Sequence, residues 1–204
     1  MASEHTSCQS CGDSLISPLF CFSCNSLQTI SDDLDHFKVM GLPHCFEIDS
    51  VELENRYQRL TLEMHPDFFG AAPEKQKRLS EKSSVMLNAA YSSLSEPASR
   101  ARYLLSLFAS GNNLQTDALP EGFLQEMFTL QESLDEMLAS CHKSELSKLN
   151  EDLQNRYTSI ESNYATLFKK VETSPENTEI LQQLQSQLNA ERYLRRLLDR
   201  INSE

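Results

Sequence analysis

Leu146, Leu149, Leu153, Tyr157, Ile160, Tyr164, Leu167 and Val171 recur at intervals of three and four residues, the period of one face of an α-helix. A stripe kept up for about seven turns cannot belong to a strand, whose faces alternate every two residues. It needs apolar partners along its length, and the sequence supplies two. Phe123, Met127, Leu130, Leu134, Met137 and Cys141 precede it, and Leu181, Leu184, Leu188, Leu194, Leu198 and Ile201 follow it. Ser174 and Pro175 offer an N-cap and a first-turn proline for the last of the three. Three helices with short connections predict a bundle over residues 123–204.

Upstream, residues 33–109 predict short helices at 34–40, 50–64, 74–94 and 98–109. Gly41 and Pro43 stop the first, and Asp49 caps the second, with Glu52 placed for a capping box. Leu53, Tyr57, Leu60 and Met64 share one face of the second helix, and Leu79, Leu87, Ala90 and Leu94 one face of the third. Polar residues 110–122 read as a linker and residues 1–32 as a separate cysteine-bearing segment. The chain is therefore expected to be mainly α. A net charge of −12 speaks against a non-specific grip on nucleic acid or an anionic membrane. No run approaches the roughly 20 apolar residues that span a bilayer. The first basic residue is Lys38, so neither a basic signal start nor an Arg-rich transit peptide is expected at this N-terminus.

Cys8-x-x-Cys11 and Cys21-x-x-Cys24 are separated by nine residues, fewer than the usual ribbon spacing of about 15–20. Two such turns can close four thiolates around one Zn²⁺. A segment this small has little core of its own, so metal binding would fold it. Two disulfides or a redox pair are the alternatives, although a redox pair normally opens a helix in a βαβ unit, which is absent here. His5 reads as solvent-facing rather than as a ligand, and Cys45 and Cys141 as small apolar residues.

"TLEMHPDFFG" (61–70) ends the second predicted helix on His65-Pro66-Asp67. Pro66 drives the residue before it out of helical geometry. His65 and Asp67 lack an activated nucleophile, are two ligands short of a metal site, and are expected to diverge across the proline. A plain helix terminus and a contact surface both remain open.

The surroundings carry a resemblance. "DHFKVMGLP", "RYQRLTLEMHPDFFG" and "LNAAYSSLSEPASRARYLLSL" resemble the J domain of DnaJ-like co-chaperones. Together with the predicted C-terminal bundle, they are similar to the HscB-type co-chaperones of iron–sulfur cluster biogenesis. The twin cysteine pairs resemble that family's eukaryotic branch.

The resemblance implies a zinc knuckle, a J domain and a scaffold-binding bundle, in a protein that is no enzyme. His65, Pro66 and Asp67, with Arg56 and Arg59 on helix 50–64, would engage a seventy-kilodalton heat-shock chaperone and stimulate its ATPase. Leu62 and Glu63 stand where the family usually carries Lys or Arg. Leu124, Phe128 and Tyr193 would bind an IscU-type scaffold protein, and Gln125 replaces a family methionine beside them. Leu124 and Phe128 lie roughly 80–140° from the Phe123–Met127–Leu134 stripe, which places them off the core face. The expected partners are the chaperone, the scaffold and a second copy of the chain, with neither nucleic acid nor membrane. The expected location is the mitochondrial matrix, the cytoplasm or both. A J protein for general folding and a nucleic-acid-binding zinc-knuckle regulator are the other readings. Neither a Gly/Phe-rich linker nor basic residues beside the knuckle support them.

Overall fold

The computed structural model describes residues 7–31, 33–140 and 143–203; His5 and Cys141 lie outside them. Two short strands, β1 (Phe20–Cys21) and β2 (Ser26–Leu27), pair antiparallel, Phe20 opposite Leu27. Helices α1 (His36–Met40), α2 (Ser50–Met64), a 3-10 turn (Pro66–Phe69), α3 (Glu74–Ser95), α4 (Pro97–Phe108), α5 (Phe123–Ala139), α6 (Lys143–Thr173) and α7 (Thr178–Asn202) follow. The chain divides into two compact units, residues 1–100 and 101–204. The division falls inside α4 rather than at residues 110–122, and the cysteine segment belongs to the first unit. No helix among the described residues is long and apolar enough to cross a membrane.

In the first unit, α1 starts where the Asp35 side chain accepts the Lys38 N–H and stops at Gly41, which adopts φ 65°. A Cβ there would fall 1.8 Å from the Ile16 carbonyl oxygen. Gly41 thus serves both the left-handed cap and the close approach of the cysteine segment. The Ser17 hydroxyl adds a buried bond to the Val39 carbonyl (2.7 Å). The predicted cap of α2 is present: the Asp49 carboxylate accepts from the Val51 and Glu52 N–H groups at 2.9 and 3.1 Å. Glu52, however, turns its carboxylate to Arg56, 3.0 Å from Nε, rather than back to the cap. Leu53, Leu60 and Met64 are buried against the α3 face that carries Leu87, Ala90 and Leu94. Tyr57, predicted on the same stripe, is half-buried and stacks on Tyr91 with ring centroids 4.1 Å apart.

In the second unit the three predicted stripes meet. Met127, Leu134, Leu153, Leu194, Leu198 and Ile201 form one cluster. The last helix starts later than the sequence predicts. Ser174 closes α6, its N–H donating to the Lys170 and Val171 carbonyls. Asn177 caps α7 instead, accepting from the Glu179 and Ile180 N–H groups at 3.0 and 3.3 Å. The stretch read as a linker is fastened to α7. The Asn189 amide donates to the Thr116 and Ala118 carbonyls at 2.9 and 2.8 Å, and Gln182 brackets Gln115. Glu191 is fully buried. Its carboxylate takes Arg195 (3.0 Å) and Arg102, which ties α4 to α7. Its own burial, and after that the Glu191 charge, push the Tyr164 phenol well above its ordinary value.

Candidate functional site

Three groups of residues carry chemistry. In the first, two knuckles place Cys8, Cys11, Cys21 and Cys24 so that all four sulfurs lie within 4.8 Å of one another. Sulfurs pair across the knuckles, Cys8 with Cys24 at 3.6 Å and Cys11 with Cys21 at 3.7 Å. All four are free thiols, and these separations are well beyond the ~2.05 Å of a disulfide. A tetrahedron with metal–sulfur bonds of about 2.3 Å has edges of about 3.8 Å, so the four sulfurs fit one such ion. Each knuckle turns on a residue with positive φ directly after its second cysteine, Gly12 (81°) and Asn25 (52°). The glycine was legible in the sequence. Asn25 was not, although asparagine is among the few side chains at home in that region.

Donors around the sulfurs favour charge. Burial opposes ionisation of Cys8, but the backbone N–H groups of Cys11 and Ser10 and the Ser26 hydroxyl together outweigh it and hold the thiol at about 5. At Cys11 the backbone bond from Asp13 favours the thiolate. Burial and the sulfurs of Cys8, Cys24 and Cys21 prevail, and its value is pushed up to about 12. One thiolate is thus favoured while the crowded neighbour keeps its proton, as expected of sulfurs that share a site without a cation. A second layer steadies them. Buried Gln28 accepts the Gln9 N–H (2.9 Å) and donates to the Ser26 hydroxyl (2.8 Å), which lies 3.0 Å from the Cys24 sulfur.

The second group is the end of α2. His65 leaves helical geometry at ψ 130°, as the following proline requires. Two α3 serines hold the last turn: the Ser80 and Ser84 hydroxyls donate to the Met64 carbonyl at 2.6 and 3.4 Å. His65 and Asp67, expected to diverge, instead lie together. The 3-10 turn folds the chain back so that the Asp67 N–H donates to His65 Nδ1 (3.3 Å), with Asp67 Oδ2 3.6 Å from the same nitrogen. An Nδ1 that accepts assigns the ring proton to Nε2. The Asp67 side chain is 88% exposed, which leaves its carboxylate open to a partner. Phe68 stands beside them, 72% exposed and edge-on to the His65 ring. It is visible as an aromatic in "HPDFF", but its exposure follows only from the 3-10 turn.

The two arginines expected to flank this loop have different surroundings. Arg56 fastens α1, its Nη1 donating to the Met40 and Gly41 carbonyls at 3.1 and 2.6 Å while its other nitrogens hold Glu52. Arg59 lies on the surface with its guanidinium 3.8 Å over the ring of Phe22.

The third group is on the bundle. Leu124 and Phe128 are 60% and 65% exposed. With Pro120, Gly122 and Gln125 they line a shallow depression of about 510 Å³. Tyr193 is less free: it is half-buried against the core, edge-on to Phe123 at 6.2 Å. Among the neighbouring arginines, Arg200 is held by Asp135 (2.6 Å), Arg195 by Glu191 and the Tyr157 hydroxyl, and Arg196 lies over the Tyr193 ring.

Comparison with known proteins places the second and third groups in known domains. The DnaJ domain matches residues 35–103, and the HSCB C-terminal oligomerisation domain matches residues 119–202. The human iron–sulfur cluster co-chaperone protein HscB is 34% identical over 140 residues, 68% of this chain and 60% of its own length. The mouse protein of the same name is 31% identical over 152 residues, covering 72% and 62%. The chain thus spans about three fifths of the curated relatives it matches. The crystal structure of human co-chaperone protein HscB superposes with a TM-score of 0.75 at 25% identity, covering 97% of this chain and 98% of that one. Chaperone HscB from Vibrio cholerae gives 0.67 at 26% identity, covering 83% and 96%. With its tripeptide inside the DnaJ match and its exposed apolar patch inside the C-terminal match, the chain belongs to the HscB-type J-domain protein family.

Proposed function

We propose that the protein is a co-chaperone of iron–sulfur cluster assembly. In this reading the bundle binds an IscU-type scaffold protein, and the J domain brings it to a seventy-kilodalton heat-shock chaperone and stimulates that chaperone's ATPase. The observation that carries the reading is the end of α2: an exposed His65–Asp67 pair at a helix end whose last carbonyl, that of Met64, is held by Ser80. Pro66 fixes the turn. Asp67 offers its carboxylate to an arginine of the ATPase, a charge-assisted and potentially bidentate bond. His65 presents Nε2–H beside it. The hydrolytic chemistry stays with the ATPase, which is why this loop needs no nucleophile of its own.

Leu124 and Phe128 support the scaffold half. Large apolar side chains left in water are unfavourable unless a partner covers them, and the two lie together on one face of α5. Tyr193 joins them as the edge of the patch, braced by Phe123. Cys8, Cys11, Cys21 and Cys24 would hold one structural Zn²⁺, the ion that four thiolates in a closed tetrahedron suit best. We propose the mitochondrial matrix, the cytoplasm or both as the site of action, with a second copy of the chain among the partners.

The test is His65→Gln in a steady-state ATPase assay with a mitochondrial-type heat-shock chaperone. Because the side chain is half-exposed, the fold and scaffold binding should be unchanged and stimulation lost. Retained stimulation would contradict the role given to the tripeptide.

A further inference from the structure

The cysteine module lies against the face of α2 that is proposed to meet the ATPase. Ile16 and Phe22 from the module, with Val51, Asn55, Arg59 and Leu60 of α2, line a groove of about 490 Å³. Ile16 and Val51 are 51% and 67% exposed there. The groove's other charges are already matched. Asp49 caps α2, and Glu52 and Arg56 hold each other. Among the described residues no carboxylate pairs with Arg59. Its guanidinium lies over Phe22, 3.8 Å from the ring centre. Phe22 is itself set edge-on to buried Phe20 of β1, with centroids 5.3 Å apart. A guanidinium stacked on a ring keeps its edge N–H donors free for a carboxylate, and stacking removes in advance the rotamer freedom that binding would otherwise have to quench.

We propose that the cysteine module is part of the ATPase-docking surface: Phe22 positions Arg59 to receive a carboxylate of the heat-shock ATPase, while Ile16 and Val51 receive an apolar side chain beside it. The inference rests on the co-chaperone reading above. It gives Phe22 the role of a positioning residue and makes the module a contributor to partner recognition. Charge complementarity selects the occupant, since the one unmatched charge in the groove is positive and an acidic segment satisfies it. The groove also adjoins Arg56 and Arg59 on α2, which extends the docking face away from the His-Pro-Asp end.

The test measures affinity of the full-length, zinc-loaded protein for a mitochondrial-type seventy-kilodalton heat-shock chaperone in ATP. The variants are Phe22→Leu, Phe22→Tyr, Arg59→Ala and the Phe22→Leu/Arg59→Ala double, with thermal melting of each as a check on folding. Phe22→Leu should weaken binding roughly threefold, the size of a surface cation–π contact. Phe22→Tyr should retain wild-type affinity, and Arg59→Ala should weaken binding on the order of tenfold. Because the ring acts through the guanidinium, the double variant should be no weaker than Arg59→Ala alone. Both Arg59→Ala and Phe22→Leu should flatten the dependence of affinity on salt. Unchanged affinity in Phe22→Leu, an equal loss in Phe22→Tyr, or a double variant weakened by the product of the two single effects would overturn the proposal. His65→Gln run alongside separates the two levels. If it abolishes stimulation while Phe22→Leu binds like wild type, the co-chaperone reading stands and this inference falls. If the wild-type protein does not bind the chaperone, both fall.

Discussion

His65, Pro66 and Asp67 show why a tripeptide is hard to interpret without its backing. Their types predicted a helix end or a contact surface, and the proline predicted the break in α2. The helix turn that leads into them is held from sixteen residues downstream, where the buried Ser80 hydroxyl donates to the Met64 carbonyl at 2.6 Å. No local pattern announces a serine bonded across helices. Ser80→Ala should therefore lower stability by about 1–2 kcal/mol, the consequence of leaving a buried carbonyl short of its main donor. A melting curve should show this, together with reduced ATPase stimulation although no exposed atom has changed. Arg56 teaches the same lesson with the opposite sign. Expected to engage the chaperone, it also has its guanidinium on carbonyls at the end of α1. Arg59, indistinguishable from it in the sequence, is the one left facing outward.

Among elements, the helices were legible because their signals are local. Asp49 caps α2 where expected, Gly41 ends α1, and the long stripe through Leu153, Tyr164 and Val171 is one helix of 31 residues. The start of α7 was displaced because α6 continues to Thr173 and uses Ser174 as its own terminus, leaving the capping role to Asn177. Tyr193, assigned to the scaffold-binding patch by the resemblance, is half-buried with its ring edge-on to Phe123 of α5. The gathering of the four cysteines was legible from their paired spacing. The module's attachment to α1 and α2 through Ser17, Ile16 and Phe22 was not, since nothing in those residue types names a partner. Its thiols make a pH prediction. Cys8, lowered to about 5, is ionised at neutral pH, whereas Cys11, raised to about 12, is protonated until a cation arrives. Zinc binding must therefore expel protons, and affinity should rise as pH rises from about 6 to about 8. Competition with a chromophoric chelator measures this; a flat profile would show that the thiols do not titrate with the metal.

At the scale of the whole molecule, the tripeptide and the apolar patch lie in different compact units, residues 1–100 and 101–204. The proposed tasks should therefore separate by mutation. Leu124→Ala/Phe128→Ala removes two side chains that are mostly in water, so melting should be nearly unchanged. Scaffold affinity should fall on the order of a hundredfold, the sum expected of two central apolar anchors. Titration calorimetry with the scaffold checks it, and the same variant should still stimulate the ATPase when the scaffold is absent. Tyr193→Ala belongs in a separate variant, because its contact with Phe123 makes some loss of stability unavoidable. Residues 110–122 look like a linker by composition, but Asn189 and Gln182 hold them to α7, a use of polar side chains that composition cannot distinguish from solvation.

The most direct measurement is steady-state ATP hydrolysis by a mitochondrial-type seventy-kilodalton heat-shock chaperone, with this protein added alone and then with an IscU-type scaffold. Stimulation by the protein that grows when the scaffold is present is the predicted result. A rate unchanged by the protein, with or without scaffold, would contradict the account and leave His65-Pro66-Asp67 as the end of a helix.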